Sequence, residues 1–130
     1  MSNNKGMVWA GRIITALAAL FFLMDAVMKF IKPPIVVEST VKLGYPESTI
    51  IGIGAALLVG TVLYIIPRTA VLGAILLTGY LGGALATHVR VNEGIFPVIF
   101  AVIFGVLVWL GLYLRDEQLR VLLPFRSSAV

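Results

Sequence analysis

One stretch constrains this chain more than any other: Leu72 to Arg90, LGAILLTGYLGGALATHVR. A bilayer core is crossed by a helix of ~20 mostly apolar residues, and this run has that length. Its polar side chains are Thr78, Tyr80 and Thr87, followed by His88 and Arg90 at its end; His88 is the chain's only histidine. Gly79, Gly82 and Gly83 lie in its middle. Similar runs recur, and spans are expected over 8–30, 48–66, 69–89 and 96–114. A soluble domain has ~45–50% apolar and ~25% charged residues, whereas this chain has 60% hydrophobic and 12% charged residues. Its 130 residues therefore hold one membrane domain and no separate soluble one. The expected fold is all-α: a polytopic four-helix transmembrane bundle with a short amphipathic helix between the first two spans. Strands are excluded, because the apolar runs are too long and do not alternate.

The connections carry the remaining signals. Pro33 and Pro34 stop the first helix. A surface helix is expected over 34–43, with Val36, Val37, Thr40 and Val41 on its apolar face and Glu38, Ser39 and Lys42 on the other, lying on the membrane or over the bundle mouth. Pro46 and Glu47 suit the entry to the second span. Gly52, Ala56 and Gly60 form one small-residue strip and Gly79 and Gly83 another, and such strips let helix backbones approach in lipid. Trp9, Tyr64, Trp109 and Tyr113 fall at one expected interface. Residues 115–126 are expected as an interfacial tail whose apolar face is Leu119, Leu122, Leu123 and Phe125, with Pro124 ending any helix there.

Net charge is +4. The basic residues flank apolar runs, so lipid headgroups and not nucleic acid are the expected counterpart. Lys5, Arg12, Arg68, Arg115, Arg120 and Arg126 fall on the side of the termini, against Lys29, Lys32, Lys42 and Arg90 on the other. That bias favours cytoplasmic termini, in a bacterial inner membrane. The first run is too long for a signal-peptide core and is expected to be retained. The absence of cysteine removes thiol exchange and thiolate metal sites, and no two residues have a metal-ligand spacing.

Asp25 is the one carboxylate well inside an apolar segment, with Lys29 one turn later on the same face. A carboxylate at the bilayer centre costs ~2.5–3.5 kcal/mol on insertion scales, so Asp25 calls for a partner. Lys29 is the simplest one. The first and third spans run in the same direction, so Asp25, Lys29, His88 and Arg90 share a leaflet. His88 and Arg90 point about 200° apart on an α-helix, so only one of them can face the bundle centre unless the helix unwinds. If either meets Asp25, the pair lines a polar pocket beneath the 31–48 segment. Each residue also has a plain structural role: a clasp for Asp25 and Lys29, a loop-carbonyl bond for His88, a headgroup contact for Arg90. Tyr80, with Thr87 on the same strip, sits near mid-membrane, where its hydroxyl wants a backbone or ligand acceptor.

The order and spacing of several segments resemble the DoxX-like membrane proteins. These are GRIITALAALFFLMDAVMKF, LGYPES, IPRTAVLGAILL, and GGALATHVRV before FPVIFAVIFGVLVWLGLYLR, together covering about residues 8–125. No single piece is a catalytic signature. The resemblance implies a four-helix membrane protein whose histidine–x–arginine end of the third span maps onto His88 and Arg90. Some members of that family are named as small subunits of a thiosulfate:quinone oxidoreductase. Others associate with membrane thiol-redox and superoxide-defence systems, and a distant animal branch resembles a receptor-assembly chaperone. Fold-level likeness of this kind does not fix a reaction.

The resulting expectation is an accessory or redox-linked membrane subunit that holds a lipophilic molecule such as a quinone between the first and third spans. No self-contained catalytic motif is present, and the reading leans toward a non-catalytic subunit of a membrane oxidoreductase. Asp25, Lys29, Tyr80, Thr87, His88 and Arg90 are the candidate ligand-binding or proton-active residues, and no catalytic or metal residue is assigned. No electron carrier is encoded, so a membrane or peripheral oxidoreductase partner would supply electrons; a homo-oligomer is compatible with the glycine strips. The alternatives are a small proton-coupled exporter, for which Asp25 stands too near the helix end, and a structural or chaperone-like partner without a ligand.

Overall fold

The computed structural model describes residues 5–92 and 94–122, and every regular element among them is helical. Helix α1 is Lys5–Ile31, α2 Pro34–Lys42, α3 Ile50–Ile65, α4 Ala70–Val91, α5 Phe96–Arg115 and α6 Glu117–Leu122. Single 3-10 turns, Glu47–Thr49 and Pro67–Thr69, lead into α3 and α4. Helices α1, α3, α4 and α5, with those turns, are long and apolar enough to cross a membrane. The chain is thus an all-α polytopic membrane bundle with a short helix between its first two spans.

Local sequence sets the helix ends. Lys32 enters the left-handed region (φ 59°) and its N–H bonds the Met28 carbonyl at 2.9 Å, which closes α1. Pro34 then occupies the first turn of α2, and Pro97 the first turn of α5, where a missing N–H leaves no helix bond unmade. Asn92, also left-handed at φ 57°, returns its N–H to His88 and Val89 and ends α4. The Asp116 carboxylate accepts from the Gln118 and Leu119 N–H groups at the start of α6.

Packing runs round a ring: α1 on α3, α3 on α4, α4 on α5 and α5 back on α1. Helices α1 and α4 therefore face each other across the diagonal. Lipid tails are as apolar as leucine, so close fit and not hydrophobic burial holds such helices together. The interior accordingly uses small residues such as Ala18, Ala26, Ala70 and Ala74, while Leu17, Leu20, Met24, Ile75 and Val106 face outward.

The close approaches are not where the small-residue strips place them. A Cβ added to Gly52, Gly79, Gly82 or Gly83 would meet nothing within 4 Å. Of those strips only Gly60 is tightly packed, with Leu77 Cδ2 3.3 Å from its added Cβ. The crossings that need glycine are elsewhere. A Cβ added to Gly11 would stand 2.7 Å from the Arg115 backbone, one on Gly54 2.9 Å from Lys29 Cβ, and one on Gly111 2.7 Å from Thr15 Oγ1. Gly73 lies directly on the Tyr64 backbone. Spacing of four residues identifies a shared face but not which face meets a neighbour.

Tyr64 is a second departure. It stands at the expected interfacial level but is fully buried, and its hydroxyl donates to the Val108 carbonyl at 2.7 Å. Arg115 lies over its ring, 5.1 Å from the centroid, and Nη2 donates to the Tyr64 carbonyl at 2.8 Å near the end of α3. With Phe22, Leu57, Leu77, Val108 and Leu112, Tyr64 forms the core. Leu119 of α6 also enters that core, and does not lie along the headgroups. Arg120 bonds the Tyr113 and Leu114 carbonyls and finishes α5. Positions 123–126 of the expected tail lie outside the described residues.

Candidate functional site

The end of the bundle opposite the termini is hollow. A cavity of about 690 Å³ lies between the spans, beneath α2 and the segment that follows it. It reaches from Lys29 to Phe21 on α1 and from His88 to Gly79 on α4, depths of about 12–14 Å at ~1.5 Å per residue. Ligand pockets commonly occupy ~300–1,000 Å³.

Helices α1 and α4 stand on one diagonal of the ring, and toward the roofed end the cavity lies between them. Gly79 and Gly83 line it, which explains why their missing side chains contact nothing: they widen the space and do not seat a helix. Phe96, Phe100 and Phe104 follow one another at four-residue spacing on α5, each ring centroid 4.8–6.0 Å from the next. Phe21 stacks on Phe104 at 4.4 Å and packs on Phe100 at 5.4 Å. Phe21, Phe96 and Phe100 give the cavity an aromatic wall.

Asp25 and Lys29 lie on the cavity wall and pair with each other, Lys29 Nζ to Asp25 Oδ1 at 2.5 Å. The bridge from Asp25 to the basic end of α4 does not form, because Asp25 already has a partner one turn away on its own helix. Lys29 is the more enclosed of the two side chains, 17% exposed against 33% for Asp25. Its stem packs at Gly54 of α3, and both side chains line the cavity.

From α4 the cavity receives Tyr80, Thr87 and His88. Thr87 donates to the Gly83 carbonyl at 2.8 Å, so its oxygen accepts from Tyr45 at 2.8 Å. Tyr80 is half-buried, lies within electrostatic reach of Asp25 and Tyr45, and makes no hydrogen bond to any described residue. Arg90 is not part of the lining. It points away from His88, as two residues that far round a helix must, and lies 3.4 Å from the Leu43 carbonyl.

The roof is α2. Val36, Ser39, Thr40 and Leu43 face the cavity, at spacings of three and four. Ser39, expected on the polar side, also lines the site although it is exposed, and Val41, expected on the apolar side, is exposed and does not. Ser39 and Thr40 bond the Ile35 and Val36 carbonyls within α2. No residue of α2 is fully buried. Its ties to the bundle include the Tyr45–Thr87 bond, the Arg90 contact and a 3.5 Å ion pair from Lys32 to Glu47. The aromatic wall, Tyr45 and Ser39 were missed in the sequence; only the four-residue phenylalanine spacing of α5 signalled any of them. Among the described residues no three His, Cys, Asp or Glu side chains gather as metal ligands.

No curated protein and no solved structure matches the chain. A family model described as the DoxX-like family matches residues 13–111. That range contains most of all four spans and every residue that lines the cavity. The chain is therefore an integral membrane protein that belongs to the DoxX-like family.

Proposed function

We propose that the cavity holds a lipophilic molecule with a flat, oxygen-bearing head, such as a quinone, and that the protein is an accessory or redox-linked subunit and not a self-contained enzyme. The observation that carries this reading is Tyr80: a hydroxyl near mid-membrane with no acceptor among the described residues, beside an aromatic wall. A hydroxyl away from water needs a partner, and a ligand carbonyl would supply one. Phe21 and Phe100 would stack on a planar ring. Asp25 and His88, both in the lining, would bond the ring oxygens or hold a proton near them. A quinone, when bound, would supply the two-electron chemistry, with electrons from an oxidoreductase partner. The excess of basic residues on the side of the termini supports, separately, termini in the cytoplasm of a bacterial inner membrane.

The test is a titration of the purified protein in nanodiscs with a short-chain quinone, followed by tryptophan fluorescence. Tyr80→Phe removes one hydrogen bond and leaves the ring, so affinity should fall about five- to tenfold. Asp25→Asn should weaken binding further. Equal affinity in wild type and both variants would dismiss this site. A fall in thermal stability with no saturable quenching in wild type would instead favour a clasp without a ligand.

A further inference from the structure

The half of the bundle nearer the termini has its own hollow, separate from the cavity. It is a groove of about 460 Å³, with Arg12 and Arg115 at its head and Ala16, Ala19, Leu20 and Leu23 along its floor. Arg12 stands near the start of α1 and Arg115 ends α5, so both guanidinium groups lie at one membrane surface. From Arg12 to Leu23 the floor descends about 16 Å at ~1.5 Å per residue, close to one leaflet of a core ~30 Å thick.

No acidic side chain is among the described residues that line this groove. Arg115 donates through Nη2 to the Tyr64 carbonyl, and its buried Nε has no acceptor among the described residues. Arg12 rests on the Trp9 ring at 5.5 Å, which orients it without neutralising it. Two cations at the headgroup level, above an apolar trough one leaflet deep, have the polarity of a single molecule type. That type has a net negative head and a long hydrocarbon tail. A zwitterionic lipid also offers a phosphate, but its own ammonium group would add a third positive charge.

We propose that this groove is a binding site for an anionic phospholipid, with its phosphate between Arg12 and Arg115 and one acyl chain along Ala16, Ala19, Leu20 and Leu23. The lipid joins the start of α1 to the end of α5 and matches the charge that the described residues leave unpaired. This site is independent of the ligand in the cavity.

The experiment uses the full chain in detergent micelles. Native mass spectrometry and thermal unfolding are followed with added phosphatidylglycerol, phosphatidylcholine or inorganic phosphate. Wild type should retain phosphatidylglycerol on the order of tenfold better than phosphatidylcholine, with a raised Tm, and inorganic phosphate should not reproduce that rise. Arg12→Gln is at an exposed position and folds; it should lose most of the preference. Arg115→Lys keeps the charge and should lose only part of it. Arg68→Gln, on the same surface but outside the groove, should change nothing. Equal retention of both lipids by wild type overturns the proposal, as does equal loss in Arg12→Gln and Arg68→Gln. A rise in Tm with inorganic phosphate alone would make this a free-anion site and overturn it as well.

Discussion

Asp25 and Lys29 show what one residue costs in lipid and how the chain meets that cost. Each charge is tolerable because the other is 2.5 Å away. Removing one partner leaves a lone ion, which is worse than removing both. Lys29→Met should therefore lower the Tm more than the double variant Asp25→Asn/Lys29→Met, measured in the same detergent; a double variant as unstable as Lys29→Met would mean that the pair does not bear on stability. This contact was legible in the sequence, because i and i+4 positions meet on any helix. The position of Tyr64 was not. Depth can be counted along a span, but rotation about its axis depends on neighbours that the sequence does not name. A tyrosine at the membrane interface and a tyrosine buried at the same level look alike until α5 brings the Val108 carbonyl to its hydroxyl.

At the scale of the helix, the same ignorance of rotation explains the glycines. Existence, length and order of the spans follow from hydropathy alone, whereas the helix faces in contact do not. Gly73→Val should abolish folding or cost several kcal/mol, because its side chain meets the Tyr64 backbone. Gly82→Val, in the same helix, should change the Tm by only a degree or two, since its Cβ would meet nothing; thermal unfolding of the two variants side by side checks both. Gly83→Leu should leave the fold intact and fill the cavity, which quinone titration would read as lost binding. The roof helix is held by few contacts, and lightly packed segments open first. Tyr45→Phe removes its bond to Thr87. Hydrogen exchange at residues 34–45 should then quicken several-fold while exchange in α3 and α5 stays as it was; unchanged exchange would mean that other contacts hold the roof.

For the whole molecule, the ring of four spans places α1 and α4 on a diagonal, and at the roofed end the two helices with the polar residues border a shared space. That is why the shared leaflet and the overhead segment could be read from sequence, and the Asp25 bridge to α4 could not. One end of the bundle is open under its roof; toward the other, Tyr64, Leu57, Leu77 and Val108 fill the core, and the groove headed by Arg12 and Arg115 is separate from the cavity. The chain lacks cysteine, so single reporters can be introduced cleanly. Thr87→Cys should react with an impermeant thiol reagent added on one side of a sealed vesicle, and Thr61→Cys, at a fully buried position, with reagent on neither.

The plugged end has a consequence for traffic. A guest that enters such a blind vestibule has to leave by the door it used, so this conformation is a berth and not a corridor. A molecule shuttling between the lipid and a docked neighbour would be served by it; one bound for the far compartment would not.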